Sequence, residues 1–288
     1  MRPSKFLQHI VIGATAATFI GAYAVNGDGS VPAVAEAATV IDVPSSTGFL
    51  NEAVTKAIVA EEAPGIAKST KAALDALAPS VRKLSHSGAL EDAFGSYFAY
   101  KARHAEKVRK PYLYFVDYGL PSNQPRGYVF DMEKLSVVRG PFTVAHGSGS
   151  ARPSELVPKR FSNRHGSNAT SLGLYLAQET YGFSGKASGQ RYTSIGLRLQ
   201  GLSKGYNDNA RSRGVVAHGA PYVTASRAGR SQGCPAMTQS LARELLPMLA
   251  NGGMVFLFAP NSEWMAGDPW VSVADAQLES TGTVASTN

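Results

Sequence analysis

Short hydrophobic runs separated by turn residues dominate the chain between Pro111 and Pro260. The runs are rich in β-branched and aromatic residues, which suit half-buried strands. Eight such runs are Tyr112–Val116, Gly127–Phe130, Leu135–Val138, Phe142–Ala145, Leu172–Ala177, Thr193–Leu199, Val215–His218 and Met254–Phe258. One amphipathic helix is predicted over Gln239–Ala250, because leucines recur on one face and two glycines follow. The pattern predicts a mainly-β domain of the sandwich or barrel class, with one helix near its end.

The residues before Pro111 carry a different pattern, which is helical. Apolar residues recur at three- and four-residue spacings from Ala72 to Val81, and Pro79 is expected to end or kink this helix. A second helix is predicted over Ala89–His104. Because neither helix carries side chains with obvious chemistry, we interpret the region as a helical pair packed on the main domain.

The N-terminus has the features of an export signal. Arg2 and Lys5 precede an uncharged run over Ile10–Val25, and Ala33-Val34-Ala35 is a typical cleavage pattern. The alternative is a membrane anchor, but a spanning helix needs about 20 apolar residues and this run is shorter and contains Gly and Thr. In either case the rest of the chain is expected outside the cytoplasm, in the periplasm or cell envelope.

These patterns divide the chain into five predicted parts. They are a signal peptide or anchor (1–35), a linker (36–48), a helical region (49–109), the β domain (110–260) and a polar, partly disordered tail (261–288). Trp264 and Trp270 indicate that the first part of the tail packs.

Cys234 is the only cysteine, which excludes an internal disulfide and any cysteine-rich zinc site. It follows Ser231-Gln232-Gly233 in a loop rich in Gly, Ser and Arg, whereas a structural cysteine usually lies in an apolar run. Arg227, Arg230 and the start of the following helix are expected to lower the pKa of the thiol. The loop therefore predicts a nucleophile, and the alternative is a small buried hydrophobic residue.

His218 ends a predicted strand sixteen residues before Cys234. Brought back by the intervening loop, its imidazole can accept the thiol proton as a general base. Gly233 allows the backbone to turn so that the amides of Gly233 and Cys234 point at one spot, as an oxyanion hole requires.

His146 lies in a second His-Gly pair, within a Gly/Ser loop. It either lines the cleft and binds substrate or satisfies a buried backbone group. A metal site built from His146, His165, His218 and Asp208 lacks the short histidine spacing of known zinc sites, so neither a metal nor another cofactor is predicted.

Several motifs in this order resemble the YkuD-type L,D-transpeptidase catalytic domain, in its murein L,D-transpeptidase branch. They are Phe115–Asp117, Arg126, Ala145–Ser150, Phe161–Asn163, Ser171–Gly173, Gly201–Leu202, Asn207–Arg213, His218–Gly219 and Ser231–Ala236. The resemblance implies an exported enzyme acting on peptidoglycan stem peptides, in which Cys234 is the nucleophile and His218 the base. It also implies an oxyanion hole formed by the Gly233 and Cys234 amides.

If the substrate is a stem peptide, several side chains near these motifs are candidates for contacting it. The expected contacts are His146, Gly219, Arg211, Arg230 and Ser231, and Arg213 and Arg227 are further candidates for stem carboxylates. Two features depart from the wider family, since Gln232 replaces a histidine and Pro235-Ala236-Met237 follows the cysteine. These departures leave open whether the enzyme joins or cuts stem peptides.

The chain has a formal net charge of +7, which favours an anionic partner. For an exported chain we expect an acidic cell-wall polymer rather than nucleic acid, and membrane attachment only through an uncleaved N-terminal segment. Three functions therefore remain: a cross-linking transpeptidase, a carboxypeptidase or endopeptidase on the same scaffold, and a non-catalytic peptidoglycan-binding module.

Overall fold

A computed structural model describes residues 65–271. The predicted signal, linker and first part of the helical region, and the tail after residue 271, lie outside the described residues. The division of the whole chain into five parts therefore stays a prediction. No helix in the described range is both long and apolar enough to cross a membrane.

Ten strands and four helices make up this part of the chain. The helices are α1 (65–77 of the described residues), α2 (Ala89–Arg103), α3 (Gln239–Leu249) and α4 (Ser262–Gly267), with 3-10 turns at Ala78–Ser80 and Ser148–Ser150. The strands are β1 (Tyr112–Asp117), β2 (Gly127–Asp131), β3 (Ser136–Phe142), β4 (His146–Gly147), β5 (Gly173–Ala187), β6 (Gln190–Gly201), β7 (Val216–Gly219), β8 (Arg230–Ser231), β9 (Ala236–Met237) and β10 (Met254–Phe258).

Eight of the strands form one mixed sheet in the order β3-β2-β1-β10-β5-β6-β7-β9. The pairs β1–β10 and β7–β9 are parallel, and the other neighbours are antiparallel. The remaining two strands, β4 and β8, form a small parallel sheet. The predicted mainly-β fold class is confirmed.

The centre of the sheet is covered on both faces. Every residue of β10 is buried, which explains why its sequence is apolar throughout instead of alternating. Helix α2 packs on β1 and β10, and its Phe94 also meets Phe130 of β2 edge to face, at 5.4 Å between ring centroids. Burying each such side chain contributes about 1.5–3 kcal/mol to stability.

Helix α3 begins directly after β9. The Thr238 side chain accepts a hydrogen bond from the Leu241 amide at 3.3 Å and so caps the helix N-terminus. Buried Leu245, Leu246 and Leu249 hold the helix on the sheet, against β6 and β7. The short segment after Cys234 is therefore anchored to a packed element.

One predicted strand, Phe142–Ala145, is wrong. The run at Leu135–Val138 continues through Gly140 and Pro141 to Phe142, because Gly140 adopts a φ of +147° and the expected turn does not form. Ala145 makes only an isolated bridge with Ala236.

Strands β5 and β6 extend well beyond the predicted Leu172–Ala177 and Thr193–Leu199. They form a long hairpin closed by Ser188 and Gly189, whose φ values of 50° and 79° match a two-residue turn with positive φ. The outer part of the hairpin alternates exposed and half-buried residues, so it lacks the continuous hydrophobic run that marked the inner part.

Three expectations about helical and terminal segments are confirmed. The helix predicted over Ala89–His104 is α2, and α1 ends immediately before the 3-10 turn that contains Pro79. Beyond Pro260, Trp264 is 3% exposed in the core and Trp270 donates its indole N–H to the Leu202 carbonyl at 2.9 Å.

Candidate active site

The loop that carries Cys234 is held at each end by a short strand that contains a His-Gly pair. On one side β7 pairs with β9, which places His218 opposite Ala236. On the other side β4 pairs with β8, which places His146 opposite Arg230. Because the four residues between β8 and β9 are fixed at both ends, the sheet determines where the thiol lies.

His218 is buried in β7, and its ring hydrogen bond defines its tautomer. Its Nδ1 donates to the Gly219 carbonyl at 3.1 Å, which leaves Nε2 as an acceptor. The ring stacks on Phe183 with 4.2 Å between centroids and 19° between planes. Burial lowers the pKa of His218 to about 4, so the imidazole is neutral at neutral pH and can accept a proton.

Replacing Phe183 by leucine tests this account of the His218 environment. Without the stacked ring, water reaches the imidazole, and we expect the pKa of His218 to rise from about 4 towards its ordinary value of 6.5. The His218 C2–H resonance, followed by NMR from pH 3 to 8 and assigned with His218→Gln, measures this change. Phe98→Leu, on α2, serves as the matched control. An unchanged titration in Phe183→Leu would show that the ring does not shield His218.

Cys234 is partly buried, and this overturns the expected lowering of its pKa. Burial raises the pKa of the thiol, while a hydrogen bond with the Val216 backbone and the charge of Arg213 act in the opposite direction more weakly. Arg227 is exposed, and the guanidinium of Arg230 points to the carbonyls of Glu155 and Gly229. The resting thiol is therefore protonated.

Gly233 has the conformation expected of the loop, but its amide is not free. Its φ is +113°, and a Cβ there would lie 2.8 Å from the Ala169 carbonyl oxygen, so only glycine fits. The Gly233 amide donates to Ser231 Oγ at 3.2 Å, and Ser231 Oγ donates to the Cys234 carbonyl at 2.7 Å. The predicted amide pair is thus reduced to the Cys234 amide, which has no acceptor within residues 65–271.

Both active-site candidates line one cavity of about 670 Å³, which we call the Cys234 cavity. Its lining consists of Ser148, Phe183, Ser184, Gly185, Lys186, Arg191, Tyr192, Arg213, Gly214, His218, Tyr222, Arg230, Ser231, Gln232 and Cys234. Of the predicted substrate contacts, Arg230 and Ser231 lie in this lining. A cavity of this volume accommodates a short peptide.

The structure places His146 away from the substrate position predicted for it. The side chain is fully buried, outside the lining of the Cys234 cavity, and its Nδ1 accepts from Arg126 Nη2 at 2.9 Å. Burial, followed by the charges of Arg126 and Arg230, lowers its pKa to about 2. His146 therefore belongs to the structural support behind the loop, and its Nδ1 partner is a side chain instead of the expected backbone group.

Two further predicted contacts, Gly219 and Arg211, also lie outside the Cys234 cavity. A Cβ on Gly219 would lie 2.8 Å from atoms of Gln239 and Ala242, so this glycine permits α3 to approach β7. Arg211 pairs with Glu179 at 3.0 Å on the surface. Neither position is available to a substrate in the cavity.

Arg213 shapes the site more than the sequence indicated. Its guanidinium donates to the carbonyls of Ser162 and Ala169 and to the hydroxyls of Ser167 and Ser171, at 2.7–3.3 Å. These bonds hold the 162–171 segment beside the Cys234 loop and leave the charge close enough to favour the thiolate.

The aromatic wall of the cavity was not predicted at all. Phe183 and Tyr192 come from the outer part of the β5–β6 hairpin, and Tyr222 from the loop after β7. The alternation of Tyr181 and Phe183 with small residues was the only signal, and it falls in a stretch without a continuous hydrophobic run.

A family model described as the L,D-transpeptidase catalytic domain matches residues 83–258, well over half of the chain. The chain belongs to this family. The match covers every element from α2 to β10, and with them the two His-Gly strands and the Cys234 loop.

Solved L,D-transpeptidase structures also match, at low identity. The enzyme from Mycobacterium smegmatis is 15% identical with a TM-score of 0.33, over 52% of this chain and 59% of that one. The enzyme from Stackebrandtia nassauensis is 16% identical with a TM-score of 0.32, over 58% and 64%. This chain thus spans less than two thirds of the length of either. No curated protein sequence matches the chain.

Within the L,D-transpeptidase motif, the departing residue Gln232 is exposed and lines the Cys234 cavity. It is therefore free to contact substrate, unlike the buried residues on either side of it. No group of three or more metal-binding side chains lies together in residues 65–271.

Proposed function

We propose that this L,D-transpeptidase domain uses Cys234 as a nucleophile on peptidoglycan stem peptides. The supporting observation is that Cys234 and a neutral, Nδ1-bonded His218 line the same cavity. The substrate is a stem peptide cleaved after its third residue, a diamino acid, and the acyl group passes to an acceptor amine.

The first half of the reaction forms a thioester. His218 Nε2 accepts the thiol proton as the sulfur attacks the carbonyl carbon, and the Cys234 amide donates to the developing oxyanion. The peptide C–N bond then breaks, and His218 returns the proton to the leaving D-alanine amine. Because the thiol of the free enzyme is protonated, thiolate forms only as the proton moves to His218.

The second half of the reaction releases the enzyme. An amine of a neighbouring stem attacks the thioester carbonyl, a new amide bond forms, and the C–S bond breaks. His218 takes the proton from the amine and gives it back to the sulfur. Water in place of the amine gives hydrolysis, so the same acyl-enzyme serves a carboxypeptidase or an endopeptidase.

Export stays a prediction that fits this substrate. The charged start, uncharged run and small-residue pattern within residues 1–35 support secretion to the periplasm or cell envelope, where stem peptides are found. A fusion of residues 1–40 to a reporter enzyme that is active only outside the cytoplasm would test it.

Purified tetrapeptide muropeptides separate the three candidate functions. We expect wild-type protein to produce new dimers, seen by mass spectrometry, and Cys234→Ala to produce none. Tripeptides without dimers would identify a carboxypeptidase, and loss of supplied dimers an endopeptidase. If wild type and Cys234→Ala leave every stem peptide unchanged while both stay folded by thermal melting, the catalytic proposal is wrong and a binding module remains.

A further inference from the structure

The side chains around the Cys234 cavity carry charge of one sign. Lys186, Arg191, Arg213 and Arg230 all line it, and its lining includes no Asp or Glu. A concave site lined by one sign of charge concentrates ligands of the opposite sign. The cavity therefore favours an anionic ligand, and the reaction of the thiol does not by itself require so much positive charge.

Two of these cations sit at the tip of the β5–β6 hairpin in an arrangement that costs stability. Lys186 and Arg191 are directly opposed in the antiparallel register, so two like charges face each other across the hairpin. Directly opposed like charges destabilise a strand pair. Both side chains are exposed, and neither forms an ion pair with any residue from 65 to 271.

Nearby cations on the same hairpin behave differently. Arg198, on β6, pairs with Glu179, on β5, at 3.1 Å, so the inner part of the hairpin uses opposite charges across its strands. On this hairpin, the cations without an ion pair lie only in the outer part, which reaches the Cys234 cavity. Arg213 and Arg230 already donate to carbonyls and hydroxyls of the protein, which leaves the tip pair as the cations free to meet a ligand.

We propose that Lys186 and Arg191 determine specificity, by selecting donor peptides that carry free carboxylates over the same peptides with carboxamides. The attraction of anions to Cys234 follows from the cavity alone, whereas the identity of the donor as a stem peptide rests on the proposed function. The pair binds the carboxylates of the donor and positions its third residue near the thiol.

Alkylation of the single cysteine measures the selection for anions without any substrate. Iodoacetate and iodoacetamide form the same C–S bond and release iodide, but only iodoacetate is negatively charged. At low ionic strength we expect Cys234 to prefer iodoacetate about 3- to 10-fold more than a free small thiol does. In the double variant Lys186→Gln/Arg191→Gln, the preference for iodoacetate should fall to that of the free thiol. In wild type, the preference should decrease as salt is added.

The matched control is Arg109→Gln/Lys110→Gln, which removes two exposed charges outside the cavity lining. It should keep the wild-type preference, because the net charge changes equally and only the position differs. A preference that is absent in wild type, or equal in the two double variants, would overturn the proposal.

Matched donor peptides test the specificity itself. For wild type we expect kcat/KM to be at least about tenfold higher with carboxylates than with carboxamides, and the double variant to lose this difference. Turnover of both donors at equal rates overturns the specificity. If neither donor reacts but the alkylation preference depends on Lys186 and Arg191, the proposed function fails while the selection for anions stands.

Discussion

Replacing Cys234 by serine is expected to lower the rate of acyl-enzyme formation by about 10³-fold or more. A hydroxyl is a far weaker acid than a thiol, and the base proposed to take its proton is His218. Because burial lowers the pKa of His218 to about 4, this imidazole is a weak base that cannot compensate for the change. The steric change is small, so the effect reports the chemistry of the nucleophile.

Whole-protein mass spectrometry after rapid quenching measures the acylated fraction with time. The control is Ser148→Ala, which changes an exposed residue that lines the same cavity. This variant should acylate within about twofold of wild type. The wild-type acylation rate is expected to be independent of pH through the neutral range, because the reacting form, a protonated thiol with a neutral His218, predominates between the pKa of His218, about 4, and the raised pKa of the thiol. A serine variant that acylates within tenfold of wild type would exclude Cys234 as the nucleophile.

Replacing Arg126 by methionine is expected to lower the free energy of unfolding by about 3 kcal/mol or more. Arg126 is fully buried and donates to the Val144 carbonyl, the Leu120 carbonyl and His146 Nδ1 at 2.6–3.0 Å. Methionine fills similar space but leaves these acceptors buried without donors. Since β4 carries His146 and pairs with β8, the Cys234 loop should also lose order.

Urea denaturation followed by circular dichroism measures this loss. Arg139→Met is the matched control, because Arg139 is half-exposed and pairs with Glu244 at 3.4 Å. This substitution should lower the free energy of unfolding by less than about 1 kcal/mol. Arg126→Lys should recover only part of the stability, since one ammonium group cannot reach all three acceptors. Equal costs for Arg126→Met and Arg139→Met would contradict the structural role assigned to Arg126.

The strands that form the centre of the sheet were predictable because they are buried on both faces. Met254–Phe258 was predicted with its observed bounds, and β1 and β2 were each predicted to within one residue of theirs. The outer β5–β6 hairpin was missed, because exposed strands alternate polar residues and are held by pairing with each other instead of by core burial. Hydrophobic runs in a sequence indicate buried strands, but they do not indicate exposed strands that are held by hydrogen bonds to each other.

The candidate site, like the sheet, could be predicted from the sequence only in part. Cys234, His218 and the glycine at position 233 were identified from residue chemistry and local spacing, and the structure brings the Cys and His to one cavity. The position of His146 was left between two alternatives, because a His-Gly pair in a Gly/Ser loop has the same sequence whether its side chain faces a cavity or the interior. The choice depends on Arg126, twenty residues away in sequence.

The amino-acid sequence by itself determined the mainly-β class, the family and the candidate reactive pair, because these depend on residue type and order along the chain. Tertiary structure alone decided the protonation of the site and the charge of its cavity. The thiol keeps its proton because it is buried, and His218 is neutral because Phe183 and the surrounding strands exclude water. Burial and the approach of distant cations are properties of the packed chain, so no local motif encodes them.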